Sequence, residues 1–296
     1  MKNVRKLSYA VIAFIIISFT ACTQNEDITP ALDEQEINAT FTVGGVQTRV
    51  NTLEKGSSWD DGDAIRLQAF TDTKNGDYVI FTLSKSGSNE IWNHYKQFRW
   101  LNLYERHMIY ASYPSSYSFF DFELPQNQGS SQGLKYADFI NGLWTGDPTT
   151  ATISIDMKHR MSMVTITYEI GSSDFEGSPS PTKAEVLSKN CKATFDINGK
   201  LSSLEGGERW VTAALHDGNK FSAIVTPGKY QTGEVFIRVT IKGKLYEVPL
   251  KYIDAEFQEG VRYLFKLKVG KNKMELTPTS IEDLSGWNSE EELNSK

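Results

Sequence analysis

The sequence predicts an all-β fold made of sandwiches. Apolar and polar residues alternate along most of the chain beyond residue 36, glycine-centred turn signals separate the alternating runs, and no stretch of any length carries a helical apolar stripe. Alternation with period two gives a strand one buried and one wet face. Many short strands of this kind, broken by Gly, Pro and Ser, pack as layered sheets.

Taken in order, residues 1–21 stand apart from the fold. Lys2, Arg5 and Lys6 precede an apolar run at 7–19, and small residues lead into Cys22. A basic start, an apolar stretch of roughly 7–15 residues and a small-residue exit define a secretory signal. A membrane-spanning helix needs about 20 apolar residues, so this run is too short to remain as one. The exit Phe19-Thr20-Ala21-Cys22 resembles a bacterial lipobox, which implies cleavage before Cys22 and lipidation of its sulfur and amine. Each buried acyl methylene contributes about 0.8 kcal/mol, and two or more chains hold a protein stably on a membrane. Residues 22–36 are polar and acidic, with Pro30, and read as a solvated tether carrying the lipid.

The folded part begins with Ile37, Ala39, Phe41 and Val43, which alternate with polar residues. Ile65, Leu67 and Ala69 follow, then Ile153, Ile155 and Met157, then Val164, Ile166, Tyr168 and Ile170. The segment 171–183 is rich in Gly, Ser and Pro. It predicts a linker between an N-terminal β domain at 37–170 and a C-terminal one at 184–296 with an acidic tail. In the second half, Asn198-Gly199 predicts a two-residue hairpin turn and Lys242-Gly243-Lys244 a second hairpin. Val235, Ile237, Val239 and Ile241 lead into the second of these, and Tyr246, Val248 and Leu250 leave it. The last clear strand directs Val261, Tyr263, Phe265, Leu267 and Val269 inward, and Arg262, Lys266 and Lys268 outward.

Composition narrows function. The formal net charge is −6, which argues against a nucleic-acid partner. After lipidation of Cys22, Cys191 has no intramolecular partner and reads as a small buried residue. Asp60-Asp61-Gly62-Asp63 lacks the oxygen-ligand register of a calcium loop and reads as a tight acidic turn. His94, His107, His159 and His216 lack metal-ligand spacing. No Gly-x-Ser-x-Gly elbow and no phosphate-binding loop occurs. The expectation is a protein without catalytic residues, metal or cofactor. Aromatics crowd two segments: Trp92, Tyr95, Phe98, Trp100 and Tyr104, then Tyr113, Tyr117, Phe119, Phe120 and Phe122. Rings of this size mostly fill cores, although an exposed set would stack on sugars or partner proteins.

Several ordered motifs resemble the fimbrillin family, the subunits of type V pili. These are Thr48-Arg49-Val50 followed by Trp59-Asp60-Asp61-Gly62-Asp63-Ala64-Ile65, and Tyr110-Ala111-Ser112-Tyr113-Pro114. Asp138 within 136–142 and His159-Arg160-Met161-Ser162-Met163-Val164 come next, then Phe257-Gln258-Glu259-Gly260-Val261-Arg262-Tyr263, and Ser280-Ile281 ahead of Trp287. The resemblance implies two tandem transthyretin-like β-sandwich domains behind a lipoprotein signal peptide. It further implies export to the cell surface, as an outer-membrane lipoprotein or in a fimbrium, and proteolysis after an arginine near the N-terminus. Removal of the first strand would then open a groove for a neighbouring subunit's strand.

The residues give that mechanism a physical form. An unpaired sheet edge invites another strand, whose main chain satisfies the ladder while alternate side chains fill pockets. Ile37, Ala39, Phe41 and Val43 have the alternation of a removable cover strand. Gly44-Gly45 then opens a flexible stretch ending at Arg49, the candidate cleavage position. On the donor side, Met274, Leu276 and Ile281 are interrupted by Pro278 and followed by Glu290, Glu291 and Glu292, a poor ladder donor. The expectation is therefore a tip or accessory pilin, with other pilus subunits as partners and the outer membrane reached through Cys22. The alternative is a monomeric surface-anchored lipoprotein that binds a host glycan or protein through exposed aromatics.

Overall fold

The structure is a computed structural model that describes residues 36–43, 59–171, 175, 179–217, 219–250, 255–270, 274–283 and 291–292. Nearly all regular structure is strand. In chain order these are β1 (Ala39–Val43), β2 (Ala64–Phe70), β3 (Asn75–Ser86), β4 (Asn89–His94), β5 (His107–Tyr113) and β6 (Asp121–Glu123). A short helix α1 (Ser131–Ala137) precedes β7 (Ile140–Gly146), β8 (Ile153–His159), β9 (Ser162–Ile170), β10 (Lys183–Ser188) and β11 (Lys192–Phe195). Then come β12 (Leu201–Glu205), β13 (Arg209–Thr212), β14 (Ala214–His216), β15 (Lys220–Val225) and β16 (Gly228–Tyr230). The last are β17 (Val235–Ile241), β18 (Lys244–Pro249), β19 (Ala255–Phe257), β20 (Val261–Val269), β21 (Met274–Asp283) and β22 (Glu291–Glu292).

Two apolar clusters organise these strands. The first lines one face of a seven-stranded sheet ordered β1-β8-β7-β5-β2-β3-β4. In β2 and β8 the alternation predicted from sequence places Ile65, Leu67, Ile153, Ile155 and Met157 inside, and β3 adds Val79, Phe81 and Leu83. The sheet curls until its two ends approach: the Phe41 ring on β1 lies 4.8 Å from Trp92 on β4 and 6.1 Å from Phe81 on β3.

The second cluster is enclosed by the sheet β13-β10-β17-β18 and the sheet β14-β15-β9-β20-β21-β22, with the small sheet β12-β11-β6 beside them. β9 belongs here, pairing with β15 on one side and in parallel with β20 on the other. The 171–183 segment thus connects β9 to β10, two strands that contribute to the same cluster.

Both hairpins are present, but the one at Asn198-Gly199 has a loop longer than two residues, closed where Asp196 N–H donates to Lys200 O. Ile241 pairs with Lys244, leaving Lys242 (φ 48) and Gly243 (φ 78) as a two-residue turn with left-handed backbone. At the other, Gly199 has φ 73 and the Asp196 carboxylate accepts from Asn198 N–H and Lys200 N–H. On β20, Arg262 is buried, against the outward placement expected from alternation. Its cross-strand neighbours, Met163 of β9 and Ile224 of β15 beyond it, are buried as well, so this end of the sheet is covered on both faces.

Candidate functional site

β1 has unequal neighbours on its two edges. Along one it is hydrogen-bonded in parallel to β8, with Ala39 opposite Ile153, Phe41 opposite Ile155 and Val43 opposite Met157. On the other, the described ties come from Trp59, whose Nε1 donates to Phe41 O, and from the segment leading into β1. There Glu36 forms a backbone bridge with Arg99, and Ile37 N–H donates to Phe98 O at 2.7 Å. β1 and its lead-in therefore close the space between β8 and the strip at 98–99.

The side chains explain why this strand is seated. Ile37, Phe41 and Val43 are each at most 5% exposed, and Ala39 is half-buried. Phe41 enters an aromatic nest in which Trp59 stands edge-on to Trp92 at 5.6 Å and to Tyr113 at 5.4 Å. Polar fixings are longer. Trp59 Nε1 donates to Phe41 O, Thr40 Oγ1 to Ile153 O and Thr42 Oγ1 to Asp156 Oδ1, each at 3.4 Å. Bonds of that length contribute less than about 1 kcal/mol each. Burying Ile37, Phe41 and Val43 contributes about 5–8 kcal/mol before entropy is subtracted. Apolar fit is thus the larger side-chain contribution holding the strand.

Of the residues singled out from sequence, Ile37, Ala39, Phe41 and Val43 share this seat. Cys22 and Arg49 lie outside the described residues. Sequence reasoning had no means to find β8 or the 98–99 strip as the partners of β1, because they lie far along the chain. The one local signal is Trp59 at the head of the acidic turn, which caps the seat.

That turn is structural. Asp60 N–H donates to Asp63 Oδ2 at 2.6 Å, Asp61 Oδ1 accepts from Lys85 N–H at 2.8 Å, and Gly62 takes φ 84. Asp63 also accepts from Tyr113 Oη at 3.1 Å, and Lys135 of α1 pairs with Asp60. Burial raises the Asp63 carboxyl above the usual range, opposed by the Asp60 N–H and by Lys135. Burial pushes the Tyr113 hydroxyl far up. Lys135 joins the turn to α1, whose Leu134 and Ala137 belong to the second cluster.

His159 and His107 are likewise structural. His159 Nδ1 lies 2.8 Å from Asp138 Oδ1, with both side chains buried. His107 Nε2 accepts from Leu101 N–H at 2.9 Å, and its Nδ1 donates to Glu105 O at 3.0 Å. Burial lowers the His107 pKa below 6.5. Among the described residues no group of three or more His, Cys, Asp or Glu is placed to hold a metal ion. Cys191 is buried and its Sγ donates to Gly206 O at 3.3 Å. Of the aromatics, Phe98, Trp100, Tyr113, Phe119 and Phe122 are buried, while Tyr95 and Tyr104 are exposed.

Comparison with known proteins agrees with this architecture. A fimbrillin-like family model matches residues 48–283. The crystal structure of a candidate cell adhesion protein from Bacteroides uniformis superposes with a TM-score of 0.62 at 16% identity, covering 84% of this chain and 97% of that one. A second candidate cell adhesion protein, from Bacteroides ovatus, gives 0.59 at 15% identity, covering 86% of this chain and 98% of that one. No curated protein sequence matches significantly.

Proposed function

Because the chain belongs to the fimbrillin-like family, we propose that it is a structural fimbrial subunit, a tip or accessory pilin, that joins its neighbour by exchange of the β1 strand. Family membership points to a structural rather than enzymatic role, to assembly with other pilus subunits and to a cell-surface location. The observation that carries the finer reading is the seat of β1, an apolar slot closed by a strand laddered along one edge. In this reading the lipid at Cys22 delivers the chain to the outer membrane. A protease then cuts after Arg49, and the freed strand leaves. The neighbour's strand replaces it, supplying main-chain bonds to β8 and side chains to the slot.

A tip or accessory position is supported by the C-terminal segment. β21 pairs with β20 along its length, within the chain's own sheet. The two-unit organisation belongs to the same proposal. The pairing of β9 with β15 and β20 favours a boundary before β9 rather than at 171–183. A second reading, a monomeric glycan-binding lipoprotein serving adhesion, is favoured by the exposure of Tyr95 and Tyr104.

Limited trypsin treatment of the chain, followed by electrophoresis without boiling, tests the assembly reading. Cleavage at Arg49 should yield SDS-resistant ladders, alone or with neighbouring subunits. Cleavage that leaves only monomer in every mixture would overturn strand exchange as the mode of assembly.

A further inference from the structure

Beside the strip that pairs with Glu36 and Ile37 lies an open cavity of about 770 Å³, within the size range of small-ligand sites. Its lining includes Lys74, Asp77, Tyr95, Lys96, Arg99 and Trp100. The charge balance is the first unusual feature. Three cations and one carboxylate leave this patch positive on a chain of net charge −6.

These cations are available to a ligand in different degrees. Lys96 Nζ pairs with Asp77 Oδ2 at 2.5 Å, but both side chains are well exposed, and an exposed pair of this kind contributes little and exchanges readily. Lys74 Nζ donates to Leu101 O at 3.1 Å, with donors to spare. Glu105, held by Thr73 at 2.8 Å, faces Lys74 from the next loop. Among the described residues no acceptor meets the Arg99 guanidinium. A planar fork without a partner is suited to a carboxylate or a sulfate.

The second feature is Tyr95. Its relative exposure is 104%, so the whole ring stands in solvent, and it lines the same cavity as these cations. An aromatic face with no apolar neighbour stabilises nothing in the fold, but it offers a flat surface for the C–H face of a sugar ring. Trp100 lines the same cavity, with a buried indole N–H that meets no acceptor among the described residues.

From these observations we infer that the cavity is a binding site for an anionic saccharide, a sugar bearing a carboxylate or sulfate. The ring stacks on Tyr95, and the anion is held by Arg99 with Lys96 and Lys74. This deepens the carbohydrate-binding reading and does not depend on strand exchange. A chain that never forms ladders should still bind, and a polymerising chain without this site should still assemble.

The test is calorimetric titration of the full chain with 3′-sialyllactose, a sulfated disaccharide and lactose as the neutral control. Saturable binding of either anionic sugar, at least tenfold tighter than lactose and weakened by added salt, is expected; which of the two binds identifies the anion. Tyr95→Ala and Arg99→Ala should each reduce that affinity at least tenfold without moving the melting temperature, since both side chains lie at the surface. Absence of binding by both anionic sugars, equal binding of lactose, or unchanged affinity in both variants would overturn the inference. So would inorganic sulfate binding as tightly as the sulfated disaccharide, because the sugar ring would then contribute nothing.

Discussion

Replacing Phe41 by alanine should loosen the N-terminal strand more than any other single change in it. The ring is 5% exposed and spans the closure of the curled sheet, 4.8 Å from Trp92 at one end and 6.1 Å from Phe81. Truncating a buried phenylalanine costs about 3–5 kcal/mol through lost transfer energy and the cavity left behind. Among the described residues β8 is the one strand laddered to β1, so β1 can shift to fill part of that space, and we expect about 3 kcal/mol. That is a large share of the roughly 5–15 kcal/mol by which domains are stable. In urea, with a slope of about 2–3 kcal/mol/M, the midpoint should fall by about 1–1.5 M. Tryptophan fluorescence is the natural readout, because Trp59 and Trp92 flank the seat. Ile197→Ala, at a side chain 63% exposed, serves as the control and should stay within about 0.5 kcal/mol of the parent. A Phe41→Ala loss below about 1 kcal/mol, with unchanged emission, would refute the view that apolar fit holds β1 in place.

Other consequences follow from the same contacts. His107 is buried as a neutral ring with its pKa below 6.5, so its contribution is complete above pH 6.5 and is lost as the pH falls through that value toward the folded pKa. The urea midpoint should decline between pH 7 and pH 5, and His107→Gln should flatten the decline; an unaltered slope would contradict the assignment. His159→Ala leaves the buried Asp138 carboxylate without its 2.8 Å partner and should cost at least about 1–3 kcal/mol by chemical denaturation. Asp138→Asn combined with it should be markedly less than additive. Gly243→Val places a β-branched residue at φ 78 with nothing within 4 Å of the new Cβ. The penalty is therefore conformational alone, about 1–2 kcal/mol, and a melting temperature equal to the parent's would show the turn has a different geometry.

Much of the strand inventory could be read from alternation, because a half-buried strand must place its apolar residues two apart. Ile153, Ile155 and Met157, or Ile237, Val239 and Ile241, are buried as that rule requires. Less legible was everything set by distant partners. The parallel register of Ala39 with Ile153 and the strip at 98–99 are tertiary choices that no local pattern encodes. The segment at Met274–Ile281, expected to ladder poorly because of Pro278, forms β21 along β20; the register shift between Leu264 and Phe265 occurs where Pro278 meets β20, a bulge that accommodates a residue without an N–H. α1 spans seven residues, too few to show a helical stripe. Its start is fixed by Ser130, whose side chain accepts from Gly133 N–H.

The central claim is that the slot under β1 accepts a strand from outside the chain. A labelled peptide covering residues 36–43 should therefore be added to the chain after cleavage at Arg49 and a mild urea pulse that releases the native strand. We predict one peptide captured per chain, with a Phe41→Ala peptide bound at least a hundredfold more weakly and no capture by uncut protein. Equal capture by cut and uncut chains, or none by either, would contradict the account.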